Sequence, residues 1–488
     1  MRITLRILTM KKIILGIFCM CTLLPSAVAA GPVSLDSCRN MAIRNNKTLR
    51  IADEAIEGAG YDRNAARAAY LPGIDFNGGY TYNQHKISLL GEDAKLPTMI
   101  FDPLTQKYNY DVLIGLDGKP VINPENGLPI PLSVAVIPKE AMEFDTHNVV
   151  AGAFTLTQPV FMGGQIKALN EIARYAEDLT RSVRNSAAQD VIFAVDGAYW
   201  QVVSLKEKKR LAENFVILVD SLHYSVEKMQ EQGLATKSDV LTVSVRLNEA
   251  NIALTKVNNG LTLSRMALAQ LCGLPVDTQM ELEDEDLKRT SKSAPPVSYN
   301  MDDVFARRQD LSSLRTGISL FEQKEKLALS TMLPKIAIVG AYSFSNPNVI
   351  NGFEKRFGGG FSIGATLSIP LWHWGGNYNQ LKSARSATAR QRLMLEDAEE
   401  KVRLQVSQAK FSYEEAYKTY RMTLSNLEKA DENLRQARLA FREGIMTTDD
   451  VLAAQTAWLQ AHSEKIDAEI GIHLCSVYLE KVLGTLAY

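Results

Sequence analysis

After residue 30 the chain has no run of 18 apolar residues, so no stretch of it is apolar enough to cross a bilayer as a helix. Cysteine is nearly absent from the same region. Cys38, Cys272 and Cys475 are an odd number and widely scattered, which predicts neither a disulfide framework nor a metal site. Catalytic signatures are missing as well: there is no G-x-S-x-G, no H-E-x-x-H, no P-loop and no pair of cysteine ligands. The six histidines, His85, His147, His223, His373, His462 and His473, fall at no ligand spacing. No enzymatic activity, cofactor or metal is therefore expected. An excess of positive charge is missing too, which removes the usual reason to expect a nucleic-acid partner. Two stretches lack helix breakers: 165–232 hold no proline and one glycine, Gly197, and 377–443 hold neither residue.

What is present begins with an export signal. Lys11 and Lys12 precede an apolar run from Ile13 to Leu24, followed by Pro25, Ser26 and Ala27-Val28-Ala29. A charged start, a short apolar core and small residues at a cleavage site make a secretory signal peptide over residues 1–30, with Met10 able to serve as its start. Cleavage is expected between Ala29 and Gly31. Bulky Phe18 and Met20 precede Cys19 and Cys21, where lipid attachment needs a small residue, so lipidation is not expected. Removal of the signal leaves 50 basic against 55 acidic side chains, a net charge of −5.

The remainder reads as a unit built twice. At an offset of 262, Leu49 meets Leu311, Leu71-Pro72 meets Leu333-Pro334, Ile74 meets Ile336, Gly78 meets Gly340 and Tyr80 meets Tyr342. At an offset of 211, Gly233 meets Gly444, Thr236 meets Thr447, Asp239-Val240-Leu241 meets Asp450-Val451-Leu452, and Gly273 meets Gly484. Pro159 and Pro370 also match at 211, each soon followed by a glycine pair, Gly163-Gly164 and Gly375-Gly376. Ordered matches that include glycine and proline indicate duplication. Repeat 1 spans 31–290 and repeat 2 spans 291–488, each in the order helix, strand, strand, long helix, turn, helix. The change of offset places roughly 50 extra residues in repeat 1, within 84–147, a segment rich in Pro, Gly, Asn and Tyr that reads as a long loop with room for a hairpin.

Four segments alternate with a period of two. Ile74, Phe76, Tyr80 and Tyr82 oppose Asp75, Asn77, Gly79 and Thr81. Val150, Phe154 and Leu156 oppose Ala151, Ala153, Thr155 and Thr157. Ile336, Ile338, Tyr342 and Phe344 oppose Ala337, Val339, Ala341 and Ser343. Phe361, Ile363, Ala365, Leu367 and Ile369 oppose Ser362, Gly364, Thr366 and Ser368. An apolar face against a small or polar one suits a barrel with lipid outside and a wet lumen inside. Tyr70, Phe161, Trp372 and Trp374 at the strand ends suit an interfacial girdle. A soluble sandwich is the alternative for the strands alone.

Four strands cannot close a membrane barrel, and an open edge in lipid leaves backbone groups unpaired at several kcal/mol each. Barrels of about eight strands have filled interiors, so an open lumen needs at least three chains and 12 strands. The breaker-free stretches predict helices of roughly 100 Å at 1.5 Å per residue. Flanking helices are expected over 36–69, 234–272, 301–332 and 445–483. Phe215, Val219, Leu222, Val226 and Met229, and Leu427, Ala430, Leu434, Ala437 and Phe441, recur at the spacing of a coiled-coil seam. Where each long helix turns back, Gly233 and Gly444 stand as C-cap glycines. Thr236 with Asp239, and Thr447 with Asp450, form capping-box-like T-x-x-D pairs.

These features together resemble the TolC-like outer-membrane efflux proteins: the Leu-Pro leading into a strand, the Pro then Gly-Gly leaving one, and Gly-x-x-Thr-x-x-Asp-Val-Leu in both halves. The resemblance covers nearly all of the chain after the signal; segment 84–147 is the main departure. It implies a mixed α and β membrane protein, a homotrimer with a 12-stranded barrel in outer-membrane lipid, four strands per chain, continued by a long periplasmic α-helical coiled-coil barrel. It implies partnership with a periplasmic adaptor (membrane fusion protein) and an inner-membrane pump, in efflux or type I secretion. The turns with Gly233, Thr236, Asp239, Gly444, Thr447, Asp449 and Asp450 would then be the adaptor-docking, gate-forming tips. Met446 and Ala453 stand at tip positions where related proteins often carry charge. The alternative is a structural or adhesive outer-membrane stalk without transport. The lining of Ser, Thr, Gly and Ala leaves cargo open among drugs, metals and proteins.

Overall fold

A computed structural model describes residues 32–285, 298–348 and 354–486. The expected signal peptide, 1–30, and the junction of the repeats at 290 and 291 lie outside them. The described residues divide into a helical unit, 32–63, 172–285, 298–322 and 385–486, and a strand unit, 64–171, 323–348 and 354–384.

The breaker-free stretches are single helices: α3 (Gln165–Glu231) and α7 (Gly376–Arg442), each of 67 residues. Their first and last residues stand apart by the same offset of 211, so the duplication extends to helix length. The return helices are α4 (Lys237–Leu271) and α8 (Thr448–Leu483). The leading helices differ from expectation, since each breaks once. The first becomes α1 (Leu35–Asn45) and α2 (Lys47–Ala68); its counterpart becomes α5 (Met301–Arg307) and α6 (Gln309–Ser330). The break residues, Asn46 and Arg308, are matched at the offset of 262 and hold extended ψ values of 127° and 120°. Both reach the end of a return helix. Asn46 Nδ2 donates to the Leu271 carbonyl at 2.9 Å, and Arg308 Nη1 donates to the Val482 carbonyl at 3.2 Å. Those carbonyls have no partner inside their own helices, because the last turn of a helix leaves acceptors unused. Asn46 also accepts from Thr48 N at 2.9 Å and so starts α2.

The helical unit has true cores. Leu49 of α2, Val195, Tyr199, Val202 and Val203 of α3, and Leu268 of α4 are fully buried in one cluster that Ile466 and Ile470 of α8 complete. Leu311, Val402, Val406, Tyr413 and Tyr417 form a second with Ile472, Leu479 and Val482. The buried carboxylate Asp196 accepts from Arg39 Nε at 2.8 Å and Nη2 at 2.6 Å, which compensates its loss of water. Folding also brings two of the scattered cysteines together: Cys38 of α1 and Cys272 at the end of α4 are buried in the first cluster.

In the strand unit, β1 (Gly73–Tyr82), β8 (Asn148–Phe161), β9 (Lys335–Asn346) and β10 (Gly358–Ser368) form one antiparallel sheet in the order β1-β8-β9-β10. The register puts Phe76 opposite Phe154, Phe154 opposite Tyr342 and Tyr342 opposite Phe361. One face therefore collects every apolar row found in the sequence, and the other collects the Gly, Ala, Ser and Thr rows. Pro159 sits at a register shift in β8, the kind of place where a strand tolerates proline. The helix ends of this unit are tied in matching pairs: Asn170 Nδ2 of α3 donates to the Ala66 carbonyl near the end of α2 at 2.8 Å, and Asn377 Nδ2 of α7 to the Thr331 carbonyl just past α6 at 3.2 Å. Left-handed backbone at Gly163 and Gly164 recurs at Trp374 and Gly375, so the structural match of the two glycine pairs is shifted by one residue.

Segment 84–147 is a branched run of two-stranded ladders. They pair β2 (Ile87–Ser88) with β7 (Glu143–Phe144), β3 (Ala94–Pro97) with β6 (Val134–Ile137), and β4 (Met99–Asp102) with β5 (Lys107–Tyr110). Further bridges join Val112 to Pro131 and Ile122 to Pro129. Thr146 is its only buried residue.

Candidate functional site

The two helix turns are built alike, and the second adds one bond, from Met446 N–H to the Ala440 carbonyl at 3.3 Å. At the end of α3, Gly233 has φ +73°, its N–H meets the Gln230 carbonyl at 3.0 Å, and Leu234 N–H meets the Met229 carbonyl at 2.8 Å. At the end of α7, Gly444 has φ +75°, its N–H meets the Phe441 carbonyl at 3.0 Å, and Ile445 N–H meets the Ala440 carbonyl at 2.8 Å. This is the Schellman arrangement, which uses a left-handed residue to satisfy the last carbonyls of a helix. A side chain with a Cβ is strained at such φ values, which explains glycine at both positions.

The next helices start with full capping boxes. Thr236 Oγ1 accepts from Asp239 N at 3.1 Å, while Asp239 Oδ2 accepts from Thr236 N and Oγ1, both at 2.7 Å. Thr447 Oγ1 accepts from Asp450 N at 3.3 Å, while Asp450 Oδ2 accepts from Thr447 N at 3.0 Å and Oγ1 at 2.7 Å. The backbone N–H of Thr236, then its hydroxyl, holds the Asp239 carboxyl below the usual carboxylate range. For Asp450 the Thr447 hydroxyl is the larger cause and the backbone the smaller. Asp449 is exposed beside it.

Each capping trio bonds within its own turn, and the apolar residues behind the trios join the two turns. Val219, Leu222 and Val226 of α3, Val243 of α4, Phe441 of α7 and Val451 and Leu452 of α8 are buried in one cluster, flanked by Phe215, Met229 and Val240. The seam residues read from α3 all lie in it. Beside this cluster runs a groove of about 300 Å³ lined by Ser225, Met229, Leu234, Arg438, Arg442 and Gln455. Gln455 is buried, gives its Nε2 to the Leu218 carbonyl at 3.4 Å and has no hydrogen-bond partner for Oε1.

Sequence reasoning passed over Leu234 and Ile445. They stand at the same place in each turn, one residue after the glycine, and are 73% and 78% exposed. Their signal was available, since both are large apolar residues matched at the offset of 211 in a polar turn.

The second candidate surface is the four-stranded sheet. Ile74, Phe76, Tyr80, Phe154, Tyr342, Phe361, Ile363 and Leu367 project from one face and are all exposed, and β1 and β10 are each paired on one side only. Phe76 and Phe154 pack rings at 4.8 Å, and Phe344 stacks at 6.3 Å from Phe76 across the Gly78 and Gly152 positions. Tyr70, Phe161, Trp372 and Trp374 at the strand ends are exposed as well. Among the described residues no helix is long and apolar enough to cross a membrane.

Comparison with known proteins agrees with this construction. The family model described as outer membrane efflux protein matches residues 138–274 and 300–485. The alkaline protease secretion protein AprF of Pseudomonas aeruginosa is 22% identical over 339 residues, 67% of this chain and 67% of that protein. The pyoverdine export outer membrane protein OpmQ of Pseudomonas putida is 22% identical over 333 residues, 66% of this chain and 68% of its own. Among solved structures, CusC superposes with a TM-score of 0.70 at 14% identity, covering 92% of this chain and 91% of its own. VceC of Vibrio cholerae gives 0.69 at 14% identity, covering 92% and 96%. The chain belongs to the outer membrane efflux protein family and is an outer-membrane exit channel protein.

Proposed function

We propose that three copies of this chain join edge to edge as a 12-stranded barrel, and that their helices prolong the duct into the periplasm. The assembly is the passive outlet of a tripartite efflux or type I secretion system. The observation that carries this reading is the sheet. Both its faces are exposed, one apolar and one small and polar, and both its edges are unpaired. Such a sheet is unstable in water and in lipid alike unless its edges close. Four strands alternate in direction, so β10 of one copy meets β1 of the next antiparallel, whatever the number of copies. Two copies would give eight strands and a filled interior, whereas three are the fewest that leave an opening.

The turns at 233–241 and 444–452 are the docking surface for a periplasmic adaptor, which in turn joins an inner-membrane pump. Supporting this are Leu234 and Ile445, large apolar side chains held in solvent by rigid, doubly capped turns. An exposed apolar group on a preorganised turn loses little entropy on binding. Asp239, Asp449 and Asp450 give the same end a negative rim. Cargo choice rests with the pump. The related proteins named above span protease secretion and pyoverdine export, so the duct itself is permissive.

Mass measurement of the detergent-extracted protein and single-channel recording in a planar bilayer test the reading together. A trimer with stepwise conductance is expected. A stable monomer that keeps its sheet in the membrane, or a trimer without conductance, would overturn it, the latter in favour of a stalk.

A further inference from the structure

Cys38 and Cys272 stand 234 positions apart in the sequence and touch in the fold. Both are fully buried. The Cys272 thiol donates to the Cys38 carbonyl oxygen at 3.7 Å. The backbone on both sides is pinned. Asn46 Nδ2 holds the Leu271 carbonyl, one residue before Cys272. Gly273, one residue after it, lies so close to α1 that a Cβ there would come within 2.6 Å of the Asn45 Cβ. The thiols are thus held together by the packing of the α1–α4 joint and not by a chance pair of rotamers. Tyr199, Leu268 and Ala269 belong to the same buried cluster. Among the described residues no group of three potential ligands offers a metal site, so shared metal binding does not explain the pair.

An outer-membrane protein reaches its place through the periplasm, an oxidising compartment in which adjacent thiols are converted to disulfides. We propose that Cys38 and Cys272 are joined by a disulfide bond in the mature protein. The oxidant is a protein disulfide donor of that compartment. One thiolate attacks the donor disulfide, forming a mixed disulfide and releasing one donor sulfur as a thiol. The second thiolate then displaces the other donor sulfur. The chain gains one S–S bond and gives up two protons and two electrons, and the donor is left as a dithiol. Since docking of α1 buries both sulfurs, oxidation takes place before α1 is seated on α4.

The bond would clasp the first helix of repeat 1 to the last. Repeat 2 has Asn300 and Leu483 at the matching positions and makes the same joint without sulfur. There Arg308 holds the Val482 carbonyl, and Gly484 packs against Arg307. Closure of so long a loop is the case in which a cross-link restricts the unfolded chain most.

The test uses full-length protein extracted from outer membranes without reductant, denatured in the presence of a thiol-alkylating reagent, digested and weighed. The expected result is alkylated Cys475 and one cross-linked peptide containing Cys38 and Cys272, lighter by two hydrogens than its separate parts and split by reductant. Full alkylation of Cys38 and Cys272, or a bond from either to Cys475, would overturn the proposal. A Cys38→Ser variant gives an independent reading, since Cys272 should then become alkylatable. If Cys272 is equally labelled in wild type and variant, no such bond exists.

Discussion

In the helical unit Leu49, Val195, Tyr199, Leu268 and Leu311 have no exposed surface, whereas the four long strands together bury only Gly152, Gly340 and Ser345. The two units contain similar side chains and put them to opposite use. Helices pair within one chain and satisfy their own backbone, so the helical unit completes its cores alone. A four-stranded sheet in a membrane protein can complete neither edge nor face alone, and in the proposed assembly its apolar residues meet lipid and its edges another copy. On that reading an exposed Phe361 or Ile363 is not a packing fault but part of a face that lipid covers.

The largest expected effect breaks this comparison directly. Leu268→Ala should destabilise the helical unit by about 2–5 kcal/mol, as truncation of a fully buried leucine does. The same change at exposed Leu367 should leave helix melting untouched and reduce only the yield of membrane-inserted protein. Thermal unfolding followed by helical circular dichroism, beside membrane fractionation, separates the two. Equal helix destabilisation by both would show that the sheet face is covered within the chain.

A charge on each face sharpens the contrast. Ile363→Arg places a guanidinium toward lipid at a cost of about 2–4 kcal/mol per copy near the bilayer midplane, and heat-stable oligomer should disappear from membranes. Ser362→Arg, one residue away on the opposite face, should assemble normally and shift ion selectivity in a planar bilayer. Assembly lost in both variants would refute the assignment of faces.

The tips stand between these extremes, being rigid by themselves yet exposed. Gly233→Val and Gly444→Val force a β-branched residue into left-handed backbone, at about 1–2 kcal/mol each. A Cβ at either glycine meets nothing within 4 Å, so crowding inside the chain adds no further cost. Export should fail while oligomer yield stays near wild type. A loss of export only in proportion to lost oligomer would make the turns purely structural.

Smaller still are the caps. Thr236→Ala and Thr447→Ala should each cost about 1 kcal/mol of local stability, read as faster amide exchange in the first turns of α4 and α8. Asp239 and Asp450 have folded pKa values below their unfolded ones. Their stabilisation is therefore complete above the ordinary carboxylate pKa of about 3.9 and is lost as pH falls through the folded value. Protection at neutral pH should thus fade in acid, and less so in the alanine variants. The least effect is expected from replacing 84–146 with a two-residue Asn-Gly turn. This segment buries no apolar residue, and the β1–β8 ladder already closes at Tyr82 opposite Asn148. Trimer yield and conductance should persist.

Much of this protein was legible in the residues themselves, because the signals were local or repeated. The absence of proline and glycine fixes α3 and α7, the period of two fixes the strand faces, and glycine with T-x-x-D fixes both tips down to their bonds. The 211-residue offset tied one tip to the other before any contact was known. Tertiary structure alone decided what depends on distant partners. Asn46 and Arg308 break the leading helices only because the carbonyls of Leu271 and Val482 arrive beside them. Which apolar residues at the turns stay in solvent is also decided in three dimensions: Val226, Val243, Phe441 and Val451 are buried, and Leu234 and Ile445 are not. Cys38 and Cys272 are unrelated by any spacing rule and become a pair only when α1 closes on α4. Spacing reports on a chain that repeats with its own period, and contacts across hundreds of residues have no period to report.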